Sequence, residues 1–224
     1  MSNKNIKQEP DELQNVEQAL SKTEQFIENN RKQLLIGLGV VVVIAAAFVW
    51  FFNGYVAPKN VEAADKMAAA VRYFERDSFA LALNGDGMNE GFIEIMDNYG
   101  VTEQSNLAAF YAGVCELQLG NFESAIKYLE SYNGKDAILA ARATACIGDA
   151  YVGLENYSKA LGYFEKAAAA ADNMFAATYL LKAGVTAEKL GDNAKAVSFY
   201  KTIKEEYPQS MEGYDIDKYI GRIE

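Results

Sequence analysis

Hydrophobic and polar residues follow three different patterns along the chain, and each pattern predicts a different kind of structure. Residues 34–52 form an apolar run of 19 residues, LLIGLGVVVVIAAAFVWFF, without charge or proline. A helix of that length measures about 28 Å, close to the roughly 30 Å hydrocarbon core of a bilayer. The residues before the run are mostly polar. After it, apolar residues recur at the three- and four-residue spacing of amphipathic helices.

The apolar run predicts a transmembrane helix over residues 34–55. A buried helix of a soluble domain usually keeps a polar stripe, and this run has none. A cleaved signal peptide has a shorter apolar segment after a short basic region, whereas residues 1–33 form a long acidic tail. We therefore expect an uncleaved signal anchor.

The flanks of the run predict its orientation. Arg31 and Lys32 directly precede it, and Trp50 and Tyr55 belong to an aromatic cluster at its far end. By the positive-inside rule the tail is cytoplasmic and the rest of the chain lies outside. The tail itself has a loose heptad that starts at Leu13. Because the heptad covers barely two repeats, it favours a solvated, half-ordered helix over a short coiled coil or an interfacial helix.

Beyond the anchor, the pattern predicts one helix over residues 61–83 and a shorter one over residues 89–99. From residue 106 onward the chain repeats itself at offsets of 35 and 36 residues. The aligned positions are three glycines, three alanines and three bulky residues: Gly113, Gly148 and Gly184; Ala125, Ala160 and Ala196; Leu129, Phe164 and Tyr200.

This period and this pattern of small and bulky residues resemble the tetratricopeptide repeat, a helix-turn-helix unit of about 34 residues. The predicted fold is therefore all-α: a single N-terminal transmembrane helix followed by a tetratricopeptide-repeat α-solenoid over residues 60–224. We expect these subdivisions: a degenerate helix pair at 61–99, repeats at about 106–139, 141–175 and 177–210, and a capping helix at 212–224.

The resemblance implies that the first helix of each repeat lines a concave groove that binds a peptide. Phe110 and Leu117 are either part of an open groove or covered core, and periodicity leaves both alternatives open. Some members of the family clamp a peptide carboxylate, but of the corresponding positions only Lys182 fits. The candidate groove residues are Leu107, Phe110, Tyr111, Val114, Leu117, Arg142, Asp149, Leu181, Lys182 and Val185.

Composition excludes several classes of function. The net charge is −10, and an acidic chain repels phosphate backbones, so we expect no nucleic-acid partner. The chain has no histidine, which removes Ser-His-Asp and Cys-His sites and imidazole metal sites. Cys115 and Cys146 lack a CxxC spacing and are expected to be small buried thiols, with a disulfide as the alternative. We expect no enzyme, no cofactor, no metal and no small-molecule substrate.

The whole layout resembles a bacterial family, the ancillary subunit of the Sec translocon, and the closest local likeness is FIENNRK at residues 26–32. The resemblance implies a single-pass inner-membrane protein with a periplasmic repeat domain. Its partners would be translocon components, periplasmic chaperones or exported chains. The alternative is a structural or assembly subunit of a larger envelope complex, with its groove permanently filled.

Overall fold

Every regular element in the computed structural model is helical within the residues that it describes, which are 9–171 and 175–223; side chains are described from residue 24 onward. The chain divides into two units, Met1–Tyr55 and Val56–Glu224. The helices are α1 (Glu9–Trp50), a π-helix (Phe51–Val56), α2 (Ala57–Phe74), α3 (Phe79–Asn84), α4 (Phe92–Asn98), α5 (Glu103–Gln118), α6 (Phe122–Ser131), α7 (Ala137–Gly153), α8 (Tyr157–Ala170), α9 (Phe175–Lys189), α10 (Asn193–Glu206) and α11 (Met211–Ile223).

The first unit is dominated by α1, which is 42 residues long and includes most of the predicted span. Its apolar side chains are exposed, with Val43 at 68% and Trp50 at 71%. By length and composition alone, this is the one helix in the described chain that is suited to crossing a membrane. A signal sequence near the N-terminus shares these properties.

The second unit begins with three helices. The prediction of one helix over residues 61–83 is wrong, because the chain turns after Phe74 and resumes as α3. Asp77 adopts a left-handed conformation with φ of 56°. The turn lets the ring of Phe79 pack edge-on against that of Phe74, with centroids 5.7 Å apart. The contact between these rings takes the place of a continuous helix. Residues 57–99 contain the three helices α2, α3 and α4, where one helix pair was expected over residues 61–99.

Three helix pairs follow: α5 with α6, α7 with α8, and α9 with α10. The two helices of each pair are joined by a three-residue turn. Two of the second helices begin with a side-chain cap, because Asn156 accepts from the N–H of Lys159 (3.2 Å) and Asp192 accepts from that of Lys195 (3.0 Å). These caps satisfy amide groups that the first helical turn leaves without a partner.

The aligned small and bulky residues meet inside each pair. A Cβ added at Gly113 would lie 2.5 Å from Cγ of Leu129, and one added at Gly148 would lie 2.7 Å from Cε1 of Phe164. In the third pair a Cβ at Gly184 would likewise collide with the ring of Tyr200. The glycines let the two helices approach closely enough for the bulky side chain to fill the space between them. The three aligned alanines Ala125, Ala160 and Ala196 are fully buried.

Candidate functional site

The first helix pair contributes core side chains instead of an open surface. Phe110 and Val114 are buried, at 6% and 9% exposure, in a cluster with Cys146 and Ile147 of α7. The ring of Phe110 also lies 5.6 Å from that of Tyr132. Of the two alternatives for Phe110, the structure therefore places it in covered core, because α7 packs directly onto it.

The remaining candidates of this helix are half-buried: Leu107, Tyr111 and Leu117. Tyr111 stacks on Phe92 of α4 at 5.1 Å, and all three side chains pack against the core clusters. Their role in binding stays a prediction.

The second and third pairs bring four candidate residues together around one cleft. Asp149 of α7 faces Leu181, Lys182 and Val185 of α9, and the cleft between them measures about 260 Å³. Val152, Phe164 and Thr186 complete its lining. Val185 is the most accessible of the apolar candidates, at 38% exposure. The lining is largely apolar and carries one charged pair.

That charged pair is Asp149 with Lys182. The Lys182 ammonium donates to both carboxylate oxygens, at 2.7 and 2.6 Å, and lies 5.7 Å from the ring centroid of Phe164. Both side chains are about one third exposed, so solvent screening limits the pair to roughly 1 kcal/mol or less. The pairing with Asp149 neutralises much of the Lys182 charge and uses two of the three N–H groups of its ammonium.

Arg142 lies outside the lining of this cleft. It is exposed on α7 and approaches the thiol of Cys146, where its charge lowers the thiol pKa. Burial is the larger effect and raises the pKa of Cys146 to about 11. Burial likewise raises the pKa of Cys115 to about 12. Both cysteines are free but buried, so neither has the accessible setting of a reactive cysteine.

Helix α11 contacts polar residues near both ends of α9. Thr178 donates to Glu212 at 2.6 Å, and Arg222 donates to Glu188 at 2.6 Å. The hydroxyl of Tyr200 also donates to Glu188, and burial together with this hydrogen bond raises the pKa of Tyr200. These contacts tie α9, α10 and α11 together.

Sequence reasoning missed Phe164 as a member of the cleft. The repeat pattern identifies it only as the bulky residue that packs in the second repeat, and it is 1% exposed. The ring lies against Gly148, the residue before Asp149, which brings it to the cleft, and the repeat spacing alone does not indicate this position. Within the described residues, no group of three or more His, Cys, Asp or Glu side chains is arranged to hold a metal ion.

Helix pairs that repeat in sequence and pack through aligned small and bulky residues define a helical-repeat protein. A comparison with family models agrees: residues 147–210 match the tetratricopeptide repeat family. The matched segment runs from α7 to the turn before α11 and contains the whole cleft. Repeats of this family are generally non-catalytic scaffolds for protein–protein interaction. No curated protein matches the chain.

Proposed function

We propose that this protein is a membrane-anchored scaffold whose cleft between α7 and α9 binds a segment of another protein at the outer face of the inner membrane. The observation that carries the proposal is the cleft itself, which joins four residues from two repeats. Its volume, about 260 Å³, lies below the roughly 300 Å³ at which small-molecule pockets begin. A cleft of this size can hold one large apolar side chain of a bound segment. Helices and peptides that bind in grooves are usually held by such anchor side chains.

The charged pair at the cleft gives the bound segment an orientation. Apolar walls from Val152, Leu181 and Val185 would accept the anchor side chain. Asp149 and Lys182 lie beside them and offer one acceptor and one donor to polar groups of the same segment. Because each of these charges already satisfies the other, a mostly apolar segment costs less to bind than a highly charged one.

The N-terminal helix supports location at a membrane. Its apolar run is preceded by Arg31 and Lys32, and its far end carries Trp50 and ring contacts such as that of Phe51 with Tyr55 at 5.6 Å. Basic residues on the inner side and aromatic residues at the interface are the usual flanks of a span. With the resemblance described above, this indicates a periplasmic repeat domain whose partners are translocon components, chaperones or exported chains.

Site-specific photocrosslinking from the cleft tests the binding site. A photoreactive residue placed at Val185 in the full-length protein should form protein adducts in cells. The same residue placed at Ala169, exposed on α8 outside the cleft lining, is the control and should form few. Filling the cleft with Val152→Trp should remove the adducts from Val185, whereas Val152→Ala should retain them.

Equal adduct yields at the two sites, or none at either, would contradict the proposed site. The pattern of adducts also separates the two forms of the hypothesis. Several different partners support a scaffold that receives chains, whereas one partner that copurifies at a fixed stoichiometry supports an assembly subunit with a filled groove.

A further inference from the structure

Three asparagines of the chain are followed directly by a glycine: Asn53, Asn84 and Asn133. In such a pair the backbone nitrogen of the glycine can attack the side-chain amide of the asparagine, because glycine has no Cβ that blocks the approach. The attack requires that the glycine nitrogen and the asparagine side chain are both free to move. The structure distinguishes the three pairs by this requirement.

Helical hydrogen bonds hold two of the pairs. Asn84 is the last residue of α3, and its side chain donates to a backbone carbonyl of that helix at 3.0 Å. The backbone nitrogen of Gly85 donates to another carbonyl of α3 at 2.8 Å. Asn53 lies inside the π-helix, and its side chain donates to a carbonyl one turn earlier at 3.1 Å. Both pairs must therefore open locally before they can react.

The third pair lies in the connection between α6 and α7, where the backbone has no regular structure. Asn133 is exposed, and its side chain makes no hydrogen bond to any residue that the structure describes. The same holds for the backbone nitrogen of Gly134. Exposure alone does not distinguish this pair, because Asn84 is exposed as well. The difference is that both reacting groups of the third pair are available without the opening of a helix.

Packing explains why a glycine follows Asn133. A Cβ added at Gly134 would collide with the hydroxyl oxygen of Tyr132. The ring of Tyr132 in turn lies 5.6 Å from that of Phe110, which belongs to the core. A larger residue at position 134 would displace this ring, so the same glycine that permits the packing leaves Asn133 open to attack.

We propose that Asn133 is a site of spontaneous deamidation through a cyclic imide with Gly134. The glycine nitrogen forms a bond to Cγ of Asn133, and the side-chain nitrogen leaves as ammonia together with the proton that the glycine nitrogen loses. Water then opens the imide at either of its carbonyl carbons. One product is aspartate, and the other is isoaspartate, in which the main chain passes through the former side-chain carbon.

This modification acts where the first helix pair joins the second. The backbone N–H of Asn133 donates to the side-chain oxygen of Asn106 on α5 at 2.9 Å. Shortly after it, Asp136 caps α7 by accepting from the N–H groups of Ile138 and Leu139 at 2.8 and 2.9 Å. An isoaspartyl linkage lengthens the main chain between these contacts by a methylene group, and either product adds a negative charge near Asp136. We expect the linkage to loosen the joint between the two pairs.

Peptide mapping by mass spectrometry tests the site in the full-length protein, kept in detergent at mildly alkaline pH. In the native protein Asn133 should be converted roughly tenfold or more faster than Asn84, because the helical pair reacts only after local opening. In protein unfolded with guanidinium chloride the two rates should become similar. Asn133→Gln is the matched control and should abolish conversion at this position, since its longer side chain would have to close a larger ring.

Two results of the mapping would overturn the site. The first is conversion at Asn133 that is no faster than at Asn84 in the native protein. The second is an unchanged lead of Asn133 after unfolding, because the flanking sequence and not the hydrogen bonding would then decide the rate.

Thermal unfolding of aged samples tests the effect on the joint. The aged unsubstituted protein should melt at a lower temperature than the Asn133→Gln protein aged in the same way. Fresh Asn133→Asp protein carries the charge without the longer main chain and should melt at a higher temperature than the aged sample. Equal melting temperatures for all three would overturn the loosening of the joint.

Discussion

At the scale of single residues, the repeat domain depends on glycines that face bulky side chains. Gly148 on α7 lies against the ring of Phe164 on α8, and three ring atoms would lie within 3.1 Å of a Cβ at that position. The ring is 1% exposed and cannot move toward solvent without opening the core. Any side chain at Gly148 must therefore push the two helices apart or force the ring off its preferred rotamer.

Gly148→Ala is expected to destabilise the protein by about 1–3 kcal/mol through this steric conflict. Its matched control is Gly162→Ala in the interior of α8, where a Cβ would meet no atom within 4 Å. The control should be stabilising by about 0.5–1 kcal/mol, because alanine has the higher helix propensity. Urea unfolding of both variants measures the two effects. If both variants changed the free energy of unfolding in the same direction, steric packing against Phe164 would not explain why position 148 is a glycine.

Buried thiols give a second prediction at this scale, one of pH dependence. Burial raises the pKa of Cys115 to about 12 and that of Cys146 to about 11. The thiolate is the reactive form, and at pH 8 a group with a pKa of 11 has roughly a hundredth or less of the thiolate of an ordinary cysteine. We expect a disulfide reagent to label the native protein at least about 100-fold more slowly than the urea-unfolded protein.

The native labelling rate should also rise as the pH increases toward 11, because more of the thiol ionises. Equal native and unfolded rates at pH 8 would contradict the burial of these two cysteines.

At the scale of elements, the turns between paired helices use one backbone conformation with different residues. Gly120 and Gly191 occupy corresponding places in the first and third turns, with φ of 80° and 77°. In the second turn the place is taken by Glu155, with φ of 57°. A left-handed conformation costs a non-glycine residue about 1–2 kcal/mol. The turn geometry is therefore set by the packing of the helices on either side, and Glu155 is held in it.

Glu155→Gly is expected to be stabilising by about 0.5–1 kcal/mol, since glycine removes this backbone strain at the expense of some unfolded-state entropy. The control substitutions Gly120→Ala and Gly191→Ala should be destabilising by about 1 kcal/mol through φ alone, because neither site would bring a Cβ within 4 Å of another atom. Thermal unfolding of the three variants measures the effect. A lower melting temperature for Glu155→Gly would mean that its side chain contributes more than the strain costs.

At the scale of the whole molecule, an apolar helix with exposed side chains and an acidic helical domain share one chain. The net charge of −10 disfavours contact with anionic lipid headgroups or nucleic acid. The binding site that we propose for the domain is a small, largely apolar cleft. This combination suits a scaffold that is held at a membrane and engages proteins beside it.

Orientation is the testable consequence at this scale. Alkaline phosphatase fused to the C-terminus should be active, because by the positive-inside rule we expect Arg31 and Lys32 to keep the tail on the cytoplasmic side. Replacing both residues with glutamine should lower this activity. Lys59 and Lys66 would then give the C-terminal side of the span more positive charge than the tail side. Activity only from a C-terminal reporter that works in the cytoplasm would reverse the predicted topology.

Local periodicity in the sequence by itself determined the helical class, the apolar run and the repeat, because each is a pattern of near neighbours. The regular spacing of the glycines at 113, 148 and 184 was enough to indicate a close approach of the two helices in each pair. Only the tertiary structure decided that Phe110 is core, since that depends on Cys146 and Ile147 arriving from another helix.

The structure likewise decided the break after Phe74 and the cleft. The cleft needs Asp149 and Lys182, 33 residues apart, to meet across two helices. Sequence spacing reports which face of a helix a residue occupies. Whether that face is covered depends on the neighbouring helix, and only packing determines it.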